Sequence, residues 1–223
     1  MDDQIGLDAV KRTKKSGVRG PHAQRTAAMR RKLIDAAIEC LHEHGYGKTT
    51  LQRVTDIAGV SRGAFLHHFP TRADLLVAVA EFAAEKQNKH VSRLLADTKP
   101  GRERFDAITM ATWDALQQPA AIALLEIKIG ARSDQEIGEP FADVIRGLTD
   151  FQTNGVWNVA QEAGITDHDR VIDMVLLHMA AMQGLVLEYL YSGDKAPAEK
   201  CMTLLKHYKD TLTGELLKAA EAN

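Results

Sequence analysis

The chain has 223 residues, of which 45% are hydrophobic and 26% charged, enough apolar material for one compact domain and a smaller one. No apolar run approaches the ~20 residues of a membrane helix, and the polar, basic start lacks the pattern of a secretory leader. The isolated cysteines, Cys40 and Cys201, exclude a disulfide framework and are typical of reduced thiols. We therefore expect a cytoplasmic protein without a membrane segment.

The net charge of −2 is unevenly distributed along the chain. Residues 1–32 hold nine Lys or Arg against three Asp, a local charge of +6, which leaves −8 for the remainder. A concentration of positive charge suits a polyanionic partner. Two interpretations stay open for residues 1–25: a flexible basic arm that reaches along a phosphate backbone or into a minor groove, or a solvated tail.

The first predicted helix ends near residue 45. Its apolar stripe recurs at helical spacing and consists of Met29, Leu33, Ala37, Cys40 and Leu41. Gly45 then stops the helix, because glycine adopts the left-handed conformation of a helix end at little cost. Tyr46 is expected to pack back on Leu41.

Residues 49–69, TTLQRVTDIAGVSRGAFLHHF, predict two short helices joined by a tight turn. Thr49 or Thr50 can cap the first helix, since a threonine oxygen accepts hydrogen bonds from the free N–H groups of a helix start. Gln52 stands three residues after Thr49, as in a capping box. Gly59 supplies the positive φ that a sharp turn needs.

The second of these helices is capped by Ser61. Phe65 and Phe69 are one turn apart and should point inward. The residues left facing outward are Arg62, Gly63, Leu66 and His67. A glycine lets the backbone approach a groove closely, and an arginine can reach guanine O6 and N7 with both ends of its fork. This arrangement predicts a helix-turn-helix whose second helix enters the major groove of duplex DNA.

The chain beyond this motif reads as further helices. After Phe69, Pro70 breaks the chain, and Thr71 with Asp74 opens a long helix over residues 72–95. The other predicted helices cover residues 102–117, a segment that starts at Pro119, a segment opened by a capping box of Ser133 and Glu136, residues 167–192 and residues 197–220.

Residues 33–79 resemble the DNA-binding domain of the tetracycline-repressor (TetR) family. The matching pieces are LIDAAIECLHEHGY, TTLQRVTDIAGVSRGAF and HHFPTRADLLVAV, in the family's order and spacing. The resemblance implies an all-α fold. An N-terminal three-helix helix-turn-helix DNA-binding domain, residues 26–71, would be followed by a helical effector-binding and dimerisation domain, residues 72–223.

The resemblance also implies which residues contact DNA. Base contacts would come from Arg62, Gly63, Ala64 and His67. Phosphate contacts would come from Thr50, Ser61, His68 and Arg72. Leu66 departs from the family, which often has a tyrosine there that bonds a phosphate; leucine could touch a thymine methyl or a sugar instead. Arg72 stands where lysine is common and keeps the charge.

Apolar residues surround the helix predicted over residues 167–192, so it must be covered on more than one side. The last predicted helix carries an apolar series at spacings of three or four: Leu204, Leu205, Tyr208, Leu212 and Leu216. Such helices from two monomers would form a four-helix interface, the homodimer that the resemblance implies; the alternative is packing within one domain only. A C₂ dimer would read a palindromic operator with half-sites about 34–36 Å apart or a multiple of that distance.

The resulting hypothesis is a dimeric transcriptional regulator, a repressor that a small-molecule effector releases from its palindromic operator. The alternative is a helical protein that binds small molecules or partners and whose DNA-binding module is vestigial, as Leu66 could indicate. Sequence-specific, salt-sensitive binding to duplex DNA distinguishes the two.

The effector site has no motif, so its candidates are soft, aromatic or unusual polar side chains on the later helices. They are Phe105, Met110, Trp113, Leu125, Glu126, Ile129, Phe151, Trp157, Met174, His178 and Met182. Such residues line an apolar cavity with few polar anchors, which predicts a mostly hydrophobic ligand. The alternative is ordinary core packing, with His178 hydrogen-bonded in the core and Glu126 paired or at a solvent edge.

The nine histidines could suggest a metal or catalytic site. His42 and His44 point to different helix faces, and the adjacent His67 and His68 diverge by ~100°. The chain has no HExxH, CxxC, P-loop or GxSxG motif, and no GxGxxG after a strand. We therefore expect no catalytic residues, no metal and no cofactor in a protein that is not an enzyme.

Overall fold

The computed structural model describes residues 21–222, which contain nine α-helices and no β-strand. The helices are α1 (Pro21–His44), α2 (Leu51–Ala58), α3 (Arg62–His68), α4 (Arg72–Leu94), α5 (Arg102–Leu116), α6 (Pro119–Gly130), α7 (Gln135–Glu162), α8 (His168–Ser192) and α9 (Ala196–Glu221). The predicted all-α class is therefore confirmed. Of the predicted arm, residues 1–25, only the part from residue 21 lies within the described residues, and it belongs to α1.

Local capping defines the two short helices that follow α1. The Thr50 hydroxyl oxygen accepts a hydrogen bond from Arg53 N at 3.3 Å and starts α2. Gly59 ends α2 in the left-handed conformation, with φ of 58°. The Ser61 hydroxyl oxygen then accepts from Ala64 N at 3.2 Å and starts α3.

The capping box expected of Thr49 and Gln52 was wrong. Thr49 is buried, and its hydroxyl donates to Gly45 O at 2.8 Å. Because Thr50 is the cap, Gln52 is only the second residue of α2 and cannot reach back to the cap nitrogen. Its amide donates to Asp56 Oδ1 at 2.7 Å instead.

The long helix α4 joins the helix-turn-helix to the rest of the molecule. Its capping box is formed, with Asp74 N donating to Thr71 Oγ1 and Thr71 N donating to the Asp74 carboxylate, each at 3.0 Å. Buried Leu76 and Val79 belong to a core that also contains Leu33 of α1 and that continues into α6 and α7. The apolar core is thus continuous between the two halves of the chain.

Two smaller apolar clusters hold α5 to α9 together. One lies around Trp113 and Met202, and the other around Phe105 and Leu216. The helix α6 is buried along most of its length, as its apolar composition predicted. These clusters leave space between α4, α5, α7, α8 and α9.

The start of α7 differs from the prediction. Asp134 is the cap, and its Oδ1 accepts from Glu136 N at 3.1 Å. Ser133, the predicted cap, donates its hydroxyl hydrogen to Gly130 O at 3.3 Å. Pro140 lies inside α7.

The helix α8 is long and apolar enough to cross a membrane, by length and composition only. Its apolar residues are interrupted by His178 and Gln183, so α8 meets this criterion without holding an uninterrupted apolar run of ~20 residues. A core helix of a soluble protein passes the same test, and α8 packs against α5, α7 and α9. Length and composition alone do not place α8 in a membrane.

Candidate nucleic-acid interface and ligand cavity

The helix α3 presents a polar outer face because its aromatic residues are turned inward. Phe65 and Phe69 are 0% and 1% exposed, with ring centroids 6.0 Å apart. The residues that remain exposed are Arg62, Gly63, Leu66 and His67. This is the set predicted to face outward.

Arg62 makes no hydrogen bond or ion pair with any residue in the range 21–222. The space above Gly63 is open, since the nearest atom to an added Cβ is Ser61 Oγ at 3.9 Å. A free guanidinium next to an accessible backbone can approach base edges in a groove. Leu66, which is 41% exposed, adds an apolar side chain to the same face.

The two histidines of α3 have different surroundings. His67 is exposed, whereas His68 is half-buried, and their rings meet edge to face at 5.2 Å. Burial, followed by the neighbouring His67 and Arg30, lowers the pKa of His68 below its ordinary value. His68 is therefore neutral at pH 7 and can offer a phosphate one N–H group, but no positive charge.

Two arginines of α1 are fixed on aromatic rings, a feature that the sequence analysis missed. The Arg30 guanidinium lies 4.3 Å from the Phe69 ring centre, and its Nη1 donates to His68 O at 3.4 Å. The Arg31 guanidinium lies 4.0 Å from the Phe82 ring centre. Cation–π contacts hold both charges close to the helix-turn-helix.

Arg72 has partners other than the phosphate expected from the resemblance. Its Nε donates to Thr49 O at 2.8 Å and its Nη2 to Tyr46 O at 2.9 Å. Its Nη1 forms an ion pair with Asp134 Oδ2 at 3.1 Å. The side chain thus ties the loop before α2 to the start of α7.

Tyr46 completes this connection. Its hydroxyl donates to Asp134 at 2.6 Å, and its backbone N–H donates to Glu126 at 3.0 Å. A Cβ added at Gly130 would overlap the Tyr46 ring, so glycine is required for this packing. The hydrogen bond from Tyr46 is the largest of the effects that hold the pKa of Asp134 below its usual range, and it keeps Asp134 ionised. Tyr46 therefore couples α1 to α6 and α7.

A cavity of about 230 Å³ lies between α4, α5, α7, α8 and α9. Four of the predicted ligand residues line it: Phe151, Met174, His178 and Met182. A second cavity of about 170 Å³ includes Leu125 and shares Gln87, Gln152, Val175 and Met179 with the first. The structure therefore brings five of the eleven candidates to two adjoining spaces.

The other six candidates lie elsewhere. Phe105 and Trp113 fill apolar clusters, and Trp113 meets Tyr189 edge to face at 6.3 Å. Trp157 packs against the His168 ring at 4.9 Å. The remaining three are Met110 and Ile129, which are exposed, and Glu126, which binds Tyr46 N.

The sequence relatives agree with this architecture. Residues 33–79 match the family described as bacterial regulatory proteins, tetR family. The HTH-type transcriptional regulator CymR of Pseudomonas putida is 30% identical over 187 residues, which cover 82% of this chain and 89% of CymR. The chain belongs to the TetR family.

Other members support the assignment. The HTH-type transcriptional repressor Rv1474c of Mycobacterium tuberculosis is 28% identical over 173 residues, 75% of this chain and 85% of that protein. A TetR transcription regulator from Haloarcula marismortui has a TM-score of 0.68 at 22% identity, over 83% of this chain and 98% of that one. TetR relatives are regulators of transcription and generally not enzymes. Within the described part of the chain, no group of three His, Cys, Asp or Glu could hold a metal ion.

The cavity of this TetR-family protein contains a lysine that the sequence analysis missed. Lys209 of α9 lines the cavity and is only 1% exposed. Its ammonium donates to Phe105 O and lies 4.3 Å from the Phe105 ring centre. The available signal was its spacing, because Lys209 follows Leu205 by four residues and precedes Leu212 by three, in the middle of an apolar stripe.

Burial lowers the pKa of Lys209 to about 8 from its ordinary 10.5. Through-space attraction to Asp106 and Asp210 opposes this effect without cancelling it. The side chain is thus still charged at pH 7, inside a largely apolar wall. A buried charge of this kind lowers the free energy of unfolding.

His178 is the second buried polar group of the cavity. Its Nδ1 lies 2.8 Å from Met174 O, and because a carbonyl oxygen only accepts, Nδ1 carries the proton. Its Nε2 is buried and has no hydrogen-bond partner among the described residues. Burial, chiefly, lowers the pKa of His178, so the ring is neutral and Nε2 presents a free lone pair.

We expect Lys209→Met to stabilise the folded protein at pH 7, because the thioether fills the same volume without a charge. A pKa of about 8 in place of 10.5 corresponds to a penalty of roughly 3 kcal/mol. Loss of the hydrogen bond to Phe105 O offsets part of this gain. Urea unfolding should therefore show an increase of about 1–3 kcal/mol in the free energy of unfolding.

The pH dependence of the free energy of unfolding tests whether the charge of Lys209 causes this difference in stability. Below pH 8, Lys209 is charged in both the folded and the unfolded state, so the penalty is complete. Between about 8 and 10.5 the unfolded state binds more protons, and the stability of the unmodified protein rises with pH. The advantage of Lys209→Met should shrink across this window. An advantage that stays constant up to pH 10 would contradict the buried charge.

Proposed function

We propose that the protein is a homodimeric repressor that binds a palindromic operator and leaves it when a small, mostly hydrophobic effector binds. The outer face of α3 carries the proposal, because Arg62 and His67 are exposed there and Arg62 has no partner among residues 21–222. TetR-family regulators are cytoplasmic DNA-binding proteins that also bind small-molecule effectors.

We assign recognition of the DNA base sequence to α3. Arg62 would contact guanine edges, with Gly63, Ala64 and His67 close to the bases. The caps Thr50 and Ser61 use their hydroxyl oxygens to accept backbone N–H groups, so each hydroxyl hydrogen is available to a phosphate. Leu66 would add an apolar contact to a thymine methyl or a sugar.

Dimerisation is assigned to the exposed apolar face of α8 and α9. On α8, the stripe that faces solvent consists of Leu177, Ala180, Gly184, Leu187 and Tyr191. On α9, Leu204 and Tyr208 are 50% and 58% exposed one turn apart. The small residues at 180 and 184 would let a second copy approach closely. A covering copy also accounts for the membrane-like composition of α8, since the helix would be buried on both sides.

Release is assigned to a movement of α4. The first half of α4 belongs to the core of the helix-turn-helix, whereas Gln87, Val91 and Ser92 in its second half line the 230 Å³ cavity. A ligand that fits one orientation of α4 better than another shifts the population of the two. The separation of the two α3 helices would then no longer match successive major grooves.

The test is selection of random duplex DNA by the purified protein at physiological salt, followed by sequencing. We expect an enriched palindrome with half-sites one helical turn, or a multiple of it, apart. No enrichment by a folded, dimeric protein would contradict operator binding and favour the rival in which the DNA module is vestigial.

Arg62→Ala serves as the specificity variant in the same selection. We expect it to cost about 1–3 kcal/mol on the selected operator and to relax the preference at one position of each half-site. Arg146→Ala, an exposed arginine of α7 paired with Asp143, is the matched control and should leave the affinity unchanged. Equal losses on operator and random DNA for Arg62→Ala would refute base reading by this residue.

Leu177→Glu should disrupt the dimer. Leu177 is 66% exposed in one copy, and a C₂ interface contains it twice. Losing two buried leucines, at about 1.5–3 kcal/mol each, should weaken dimerisation roughly 10²- to 10⁴-fold. Sedimentation velocity measures the change. Leu94→Glu, 47% exposed on α4, is the matched control and should remain dimeric. A dimer that survives Leu177→Glu would place the interface elsewhere.

Asp134→Asn should loosen the attachment of the DNA-binding module. The amide keeps the shape of the side chain but loses the negative charge that pairs with Arg72 and strengthens the hydrogen bond from the Tyr46 hydroxyl. With spin labels at Gln52→Cys in a Cys201→Ser background, pulsed electron resonance should show a broader distance distribution between the two modules.

Glu215→Gln is the matched control for this measurement. It removes the carboxylate that pairs with Arg170 at 2.9 Å, between α8 and α9 and outside the contacts of Tyr46. We expect the label distances to stay narrow in this variant. Identical distributions for Asp134→Asn and the unmodified protein would show that the cluster around Arg72 does not hold the module.

A further inference from the structure

Lys209 lacks a counter-ion. An ammonium group has three N–H donors, and Lys209 uses one of them on Phe105 O. Within residues 21–222 no carboxylate lies within 4.0 Å of its nitrogen, because Asp106 and Asp210 act on it only through space. A charge buried without a partner costs several kcal/mol, so an anion that pairs with Lys209 would relieve an unfavourable burial.

His178 faces the same cavity and also lacks a partner for one polar atom. Its buried Nε2 has no hydrogen-bond partner in the described part of the chain. His178 of α8 and Lys209 of α9 line the same cavity. The cavity wall therefore offers ammonium donors from Lys209, which can pair with an anion, and a lone pair at His178 Nε2, which only accepts and cannot bind a carboxylate.

The remainder of the wall is largely apolar. Met174, Met182 and Val156 line the cavity from α8 and α7, and Phe151 stands at its exposed side. The buried side chains Gln87 and Thr109 are further polar groups on the wall. A volume of about 230 Å³ suits a small molecule with an apolar body and one polar end.

We propose that the effector is an amphipathic monoacid, whose carboxylate pairs with Lys209 and whose apolar body lies against Met174 and Met182. The inference rests on the proposed function and deepens it by naming the chemical class of the effector. A single buried cation balances a single negative charge, whereas a dianion would leave charge uncompensated and an amine would add repulsion.

The experiment measures binding to the full-length protein without DNA, by isothermal titration calorimetry. The probes are hexanoate, octanoate, decanoate and 2-naphthoate, each with its primary amide and its amine. Within each set that fits the cavity, we expect the acid to bind about 10- to 100-fold more tightly than the amide, and the amine to bind least.

Lys209→Met tests the assigned contact. We expect this variant to lose about 10- to 100-fold in affinity for the best acid and to keep its affinity for the matching amide within about twofold. Because the variant is expected to be more stable than the unmodified protein, a loss of acid binding does not report unfolding. Lys206→Met, three residues away and exposed, is the matched control and should bind the acid normally.

The proposal is overturned if no acid binds at millimolar concentration, if acid and amide bind equally, or if Lys209→Met binds the acid unchanged. The outcome is independent of DNA binding. Acid binding without a selected operator would uphold the effector class and refute the repressor function. A selected operator without acid binding would refute the effector class alone.

Discussion

A continuous apolar core joins the two halves of the molecule, and Arg72 fixes the polar junction beside it. Its guanidinium donates to two carbonyl oxygens of the loop before α2 and pairs with Asp134 at the cap of α7. Arg72 and Asp134 are 29% and 26% exposed, so water screens the pair less than it screens a surface ion pair. The Tyr46 ring, held against Gly130, adds packing to the same junction. The orientation of α3 relative to the cavity therefore depends on contacts with α6 and α7. A DNA-binding module attached only through the chain would not keep this orientation.

Three features of the described chain have no partner within it. Arg62 projects without an ion pair, Lys209 is a buried charge without a counter-ion, and α8 exposes a stripe of leucines that includes Leu177. Local rules of stability are commonly broken at functional sites, because those groups are satisfied by something other than the chain itself. The partners proposed for these three features differ in chemistry: a nucleic acid, a small anion and an apolar helix face.

Features that depend on neighbouring residues were predictable from the sequence. The capping box of Thr71 with Asp74 and the inward Phe65 follow from spacing within a few residues. The pair of Arg72 with Asp134 joins residues that are far apart in the chain, and no local pattern indicates it. Cavity residues were equally hard to predict, because an aromatic side chain can either line a gap between helices or fill the core. Trp113, a predicted cavity residue, packs on Tyr189 in an apolar cluster. Lys209 was visible as a charge in an apolar stripe, but only burial distinguishes it from a lysine that reaches solvent.

The energetics limit how an effector could release the operator. Moving a population from 1:99 to 99:1 requires about 5.5 kcal/mol of differential affinity between the two states. A hydrogen bond to a charged group contributes about 1.5–3 kcal/mol, so the pair between an acid and Lys209 is not sufficient alone. The rest must come from apolar contacts that differ between the two orientations of α4, and Val91 and Leu95 are the apolar cavity residues in and next to its second half. An acid whose apolar part is too short would therefore bind at Lys209 without moving α4. As the apolar part is lengthened, the release of operator DNA should increase more steeply than the affinity for the acid.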